Sequence, residues 1–103
     1  MAERRKLVSV YINEADQWRR KPLHLEVLRL LNREGLAGGT VLRAVGGFTG
    51  GRGLQTGALL DSSGQLPLVI QFVDAEENVL RILPMLREIV AKRLITMQDV
   101  EII

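Results

Sequence analysis

Three observations in the amino-acid sequence predict an α+β domain, an antiparallel sheet with two helices on one face. Short runs rich in β-branched residues alternate with two stretches whose apolar residues recur at helical spacing. The 103 residues make one domain, 1–103, long enough to bury roughly two thirds of the surface of the unfolded chain. Only Tyr11, Trp18, Phe48 and Phe72 are aromatic, so the core is predicted to be aliphatic.

Residues 7–12, Leu-Val-Ser-Val-Tyr-Ile, predict the first strand, and residues 13–21 a polar loop. Pro22 suits the first turn of a helix, where a missing N–H does no harm. Leu23, Val27, Leu30 and Leu31 form the apolar stripe of that helix, with Glu26, Arg29 and Arg33 opposite, and Gly35 is expected to end it in a left-handed conformation. The second strand is predicted over 40–45. After a glycine-rich segment the chain resumes near 54–60, and a turn at 61–64 leads into a third strand over 66–73. Pro67 there argues for an edge position or the start of a strand. Asp74 is expected to open the second helix, with Glu77 at the spacing of a capping box. Val79, Leu83, Leu86 and Val90 supply its stripe, and Pro84 is expected to kink or split it. Residues 94–96 and 100–103 predict two short β ends, the last expected to be cut short at Ile103. The order β-α-β-β-α-β is the ferredoxin-like arrangement.

On the third strand both sides are mostly apolar: Leu66, Leu68, Ile70 and Phe72 alternate with Pro67, Val69, Gln71 and Val73. Helices cover only one side. The other would expose Val69 and Val73 beside Leu7 and Tyr11, which predicts a homo-oligomer with sheet faces turned inward, or else a monomer with an apolar sheet face.

The formal net charge is +2, and the clusters Arg4-Arg5-Lys6 and Arg19-Arg20-Lys21 read as solvated surface; nucleic-acid binding is not expected. The absence of cysteine excludes disulfides and thiolate metal sites and fits a cytoplasmic protein. No apolar run reaches the length of a membrane span, so membrane insertion is not expected. His24 is the sole histidine, no nucleophile is marked by an activating neighbour, and metal-ligand spacing is missing, so neither enzyme nor metal site is predicted.

All ten glycines lie between Gly35 and Gly64, most densely over residues 46–53. Such a loop can hold phosphate through main-chain N–H groups, with Arg43 or Arg52 as the cation, or it is a flexible hairpin that binds nothing. Gly46 and Gly51 do not make an NTPase loop, because Arg52 stands for the required Lys and Gly53 for Ser or Thr. Trp18, among charged residues, packs over a helix end or subunit seam, or stacks on a base.

The run from Gly35 through Gly38, Gly39, Thr40 and Val41, then Gly47-Phe48 and Leu66-Pro67, resembles the PII signalling proteins. A closer resemblance is to the PII-like domain-of-unknown-function family 190. It rests on Tyr11-Ile12, Asp16-x-Trp18, Lys21-Pro22-Leu23, Gly38-x-Thr40-Val41-Leu42-Arg43, Gly47-Phe48, Leu66-Pro67, Val73-Asp74, Leu83-Pro84 and Leu94-Ile95-Thr96. The resemblance implies a ferredoxin-like homotrimer that binds an adenine nucleotide (AMP, ADP or ATP) between subunits. It also implies a long loop, 46–64, that reports to a protein partner such as a membrane transporter or channel. Thr40 would lie by the adenine, Gly46, Gly47, Phe48 and Thr49 by the phosphates, and the strand at Leu68 and Val69 beside the base. Two departures bear on the ligand. Thr49 stands where the PII pattern has glycine, which implies a loop root less free in its dihedrals. The segment 91–96 also lacks the glycines of the second PII phosphate loop, leaving Lys92 and Arg93 to supply charge. The alternatives are an RNA-binding ferredoxin-like domain, for which only Tyr11 and Phe72 could serve, and a structural or metal-linked trimer.

Overall fold

The computed structural model describes residues 3–49, 53, 55–56 and 66–103. Among them β1 (Glu3–Asn13), β4 (Thr40–Arg43), β7 (Pro67–Asp74) and β8 (Leu94–Ile102) form a four-stranded antiparallel sheet. Across the sheet they stand in the order β4-β7-β1-β8. The helices α1 (Leu23–Arg33) and α2 (Glu76–Val90) pack together on one face. The core is aliphatic apart from Phe72. Val8, Val10 and Ile12 of β1 and Leu68, Ile70 and Phe72 of β7 meet Leu23, Val27, Leu30 and Leu31 of α1, and Val79, Ile82, Leu86 and Val90 of α2. Ile82 takes the buried place expected of Leu83, which is only partly covered.

Alternation puts Leu7 and Tyr11 of β1, and Val69 and Val73 of β7, on the opposite face, half-buried. Leu42 and Leu94 join them from the edge strands through the pairs Leu42↔Val69 and Tyr11↔Leu94, at 49% and 58% exposure. Tyr11 and Phe72 thus lie on opposite faces, and no paired aromatic platform of the RNA-reading kind forms on the open side among the described residues.

Several elements differ from the sequence reading. The two short β ends are one strand, β8, whose middle pairs Met97, Gln98 and Asp99 with Val8, Leu7 and Lys6. An edge strand that leaves much of its length to solvent needs no apolar alternation, so the pattern hid it. Pairing with β8 also carries β1 back to Glu3, and Lys6 hydrogen-bonds the Asp99 carboxylate. The polar loop contains a small hairpin, β2 (Gln17–Trp18) with β3 (Lys21–Pro22). Arg19 and Arg20 make its two-residue turn at φ 52° and 67°, the type I′ geometry that twists with the strands. Pro22 therefore precedes α1 rather than lying in its first turn. Gly35 does end α1 at φ 78°: Leu36 N–H donates to Leu31 O and Gly35 N–H to Asn32 O, a Schellman closure.

β4 stops at Arg43, because Val45 is turned out to solvent and the chain enters β5 (Gly46–Gly47), paired with β6 (Gln55–Thr56). The rest of the expected segment 54–60 and the turn at 61–64 lie outside the described residues. Pro67 begins an inner strand; strand start, not edge, is what it marks.

Asp74 ends β7 instead of opening α2, since it still pairs with Lys6 across the sheet. Its carboxylate nevertheless serves the helix start, accepting from Ala75 N–H and from the Asn78 side chain, so Asn78 takes the part foreseen for Glu77. Pro84 does not split α2, which runs unbroken from Glu76 to Val90. It sits on the exposed side, where the carbonyl one turn back, that of half-exposed Leu80, can be met by water. Among the described residues no helix is long and apolar enough to cross a membrane.

Candidate functional site

Among the described residues, two clefts stand out beside the uncovered sheet face. The larger, about 840 Å³, lies where the loop root meets the turn after α2, and Tyr11, Asp16, Phe48, Thr49, Lys92 and Arg93 line it. The smaller, about 370 Å³, lies along the edge of β4 between Gly38, Gly39, Thr40 and Leu42 and the residues Leu7 and Gln71 of the sheet.

Asp16 reaches the larger cleft from the tight turn after β1. Its main-chain N–H donates to Asn13 O, its Oδ2 accepts from Asn13 N–H, and its carbonyl accepts from Leu23 N–H at the head of α1. The carboxylate is about nine-tenths covered and accepts from Arg93 Nε at 2.8 Å. Arg93 also donates through Nη1 to Val90 O at the end of α2. The α2–β8 turn itself is held by Arg87, whose Nη1 donates to the carbonyls of Ala91 (2.6 Å) and Arg93 (2.7 Å). Ala91 takes φ 56°, ψ −123°, a backbone conformation that glycine adopts freely and alanine only under strain. The glycine-poor turn thus still makes a glycine-like bend. Lys92 projects from it exposed, with no ion pair among the described residues.

At the loop root, Gly47 has φ 143° and lies so near Pro67 that a Cβ would come within 3.3 Å of the ring. Thr49 is not among the described residues of positive φ, so its replacement of glycine strains nothing. Phe48 stands 70% exposed at the cleft mouth.

Asp74 fixes the approach to the smaller cleft. The carboxylate, 2% exposed, accepts from Ala37 N–H at 2.8 Å, just before Gly38. Burial pushes its pKa up, but the hydrogen bonds from Asn78, Ala37 and Ala75 and the Arg5 charge outweigh that and hold it below the usual carboxylate range.

The site residues expected from sequence fall into groups. Phe48, Thr49, Lys92 and Arg93 share the larger cleft, and Thr40 lines the smaller. Gly46 and Gly47 form β5 at the loop root. Arg43 is turned to Glu14, donating from Nε (2.9 Å) and Nη2 (3.1 Å); this bond raises its pKa, and Glu14 Oε1 also accepts from Leu66 N–H. Leu68 is buried under the helices, and Val69 is on the open face outside both clefts. Trp18 packs against the core with the Arg19 guanidinium 4.3 Å over its ring. Arg52 lies outside the described residues. Sequence reasoning passed over Tyr11, Asp16, Ala91 and Leu94 as cleft residues. The Asp16-x-Trp18 motif was a usable signal for Asp16; nothing local marks Ala91.

The larger cleft offers apolar walls from Tyr11, Ile12, Phe48 and Leu94 to a flat ring, and two cations to an anion.

The ferredoxin-like sheet with both helices on one face is a PII-like fold, as solved structures of that fold show. The chain belongs to the DUF190 family (Uncharacterized ACR), whose family model it matches over residues 5–102. It is 34% identical over 85 residues to a UPF0166 protein of Methanocaldococcus jannaschii, covering 82% of this chain and 78% of the relative. It is 32% identical over 102 residues to a UPF0166 protein of Aquifex aeolicus, covering 97% and 94%. Among solved structures it is similar to CPII, a nitrogen regulatory PII-like protein of Thiomonas intermedia K12 bound to ADP, AMP and bicarbonate. That likeness has TM-score 0.72 and 20% identity, over 99% of this chain and 91% of the other. A PII-like signaling protein of Thermus thermophilus gives TM-score 0.67 and 21% identity over 99% and 92%.

Proposed function

We propose that this chain is a cytoplasmic PII-like regulatory protein that acts by binding, not catalysis. Three copies assemble through their open sheet faces and bind an adenine nucleotide (AMP, ADP or ATP) in the clefts between them. The segment 46–64 changes state on binding and docks on a protein partner, a membrane transporter or channel. The observation that carries the reading is the larger cleft, where the root of that segment, Phe48 and Thr49, meets Lys92 and Arg93. A ligand phosphate there would touch both the loop and the turn after α2, and so favour one loop state over another, which signalling requires. The bound ADP and AMP of the Thiomonas protein support the ligand class. The half-exposed Leu42 and Leu94 on the open face support assembly, because burying such area drives association. Thr40 and Phe48 line separate clefts of one chain, so a nucleotide that meets both sets of residues takes one from a neighbouring copy.

Calorimetry and thermal shift with AMP, ADP, ATP and cyclic AMP test the ligand, and light scattering tests the assembly. The reading expects binding by at least one nucleotide and a mass three times that of the chain. No response to any of the four at millimolar concentration, or a single-chain mass, overturns it.

A further inference from the structure

We infer that Asp16 sets the charge that the larger cleft accepts, and makes it selective for a nucleoside monophosphate over the triphosphate; the inference rests on the nucleotide reading above. Among the described residues two cations and one carboxylate line this cleft, so Lys92 and Arg93 do not act on a ligand with their full charge. The Asp16 oxygen occupies the Nε edge of Arg93 at 2.8 Å, and Val90 O takes a further donor of the same guanidinium. A phosphate can therefore reach only the remaining N–H groups of Arg93, on Nη1 and Nη2, and it meets the Asp16 carboxylate beside them. Ala91, which caps the carboxyl end of α2, also lines the cleft, and there the helix presents partial negative charge. Arg87 is spent on the Ala91 and Arg93 carbonyls and offsets only that end.

The carboxylate is fixed rather than free to withdraw. Its residue is pinned through the Asn13 and Leu23 hydrogen bonds at the head of α1, and its side chain is about nine-tenths covered. A phosphate entering beside Arg93 meets a fixed negative charge within a few ångströms, in surroundings of reduced dielectric. The repulsion grows with every charge on the ligand. A monophosphate meets it once, whereas a triphosphate carries further charge into the same space. Asp16 is thus a specificity-determining residue that acts by repulsion, as selective sites do when attraction alone cannot discriminate.

The test compares AMP and ATP binding by calorimetry at neutral pH, with a chelator present so that the triphosphate keeps its charge. Wild type, Asp16→Asn, Asp16→Glu and Lys92→Gln are measured, each with its melting temperature. The wild type is expected to bind AMP more tightly than ATP. Asp16→Asn should improve ATP relative to AMP by about tenfold, which is about 1.4 kcal/mol. Asp16→Glu should restore the wild-type preference, and Lys92→Gln should weaken both nucleotides. An Asp16→Asn protein that binds both nucleotides with an unchanged ratio overturns the inference and leaves nucleotide binding standing. If Asp16→Asn fails to fold, Asp16→Glu with an inverted or abolished preference overturns it as well. Binding of neither nucleotide by any of the four proteins overturns the inference together with the reading beneath it.

Discussion

Replacing Asp74 by Asn separates one hydrogen bond from its neighbours. In the wild type one carboxylate oxygen accepts from Ala75 N–H (2.8 Å) and Asn78 Nδ2 (2.7 Å), the other from Ala37 N–H (2.8 Å). An asparagine keeps the first pair by placing its oxygen there, and its NH₂ then faces the Ala37 N–H, two donors without an acceptor. A lost bond to a charged acceptor, with a donor left unmet, costs about 2 kcal/mol. That is a large share of the roughly 5–15 kcal/mol that holds a domain folded. Denaturant unfolding at neutral pH and fixed protein concentration measures it, and exchange of the Ala37 amide should accelerate along with that of Gly38 and Gly39. The wild-type pKa of Asp74 is depressed in the folded state, so its contribution is fully present above the unfolded value of about 3.9 and is lost as pH falls through the lower folded value. The gap between the two proteins should therefore close in strong acid. A change under about 0.5 kcal/mol at neutral pH, or a gap independent of pH, would refute the assignment of Asp74 as the anchor of the smaller cleft.

Two further substitutions test the backbone at the turn and in the second helix. Ala91→Gly should stabilise the fold by about 0.5–1 kcal/mol in urea unfolding, since relief at φ 56° exceeds the entropy that glycine adds to the unfolded chain; destabilisation would mean that Ala91 is unstrained. Pro84→Ala should raise stability by about 2–2.5 kcal/mol, the helix gain of about 3 kcal/mol reduced by the roughly 0.5–1 kcal/mol of freedom restored to the unfolded chain. A loss there would show that the proline ring packs usefully.

The local rules that α1 obeys are all printed in its residues: an apolar stripe from Leu23 to Leu31 and a glycine that supplies φ 78° at Gly35. The alternation of β7 likewise foretold both its buried side and the half-open face opposite, because side-chain direction in a strand follows from parity alone. The resemblance implied a base by Thr40 and phosphates by Phe48 and Thr49; the fold puts Phe48 and Thr49 in one cleft with Lys92 and Arg93, and Thr40 in the other. Other assignments depended on partners distant in the chain. β8 is continuous because β1 pairs with it from Glu3 to Tyr11, and no pattern within residues 94–102 carries that information. Asp74 looked like a helix cap until the sheet register held it opposite Lys6. Arg43 looked like a free cation until Glu14, twenty-nine residues away, took it. Asp16 stood out in the chain through its motif, and it joined Arg93 in the lining of the cleft when the α2–β8 turn brought the two together. Helix and strand periodicity are properties of neighbours and can be read along the chain. The charge a site presents is a sum over groups that meet only when the backbone has closed around them.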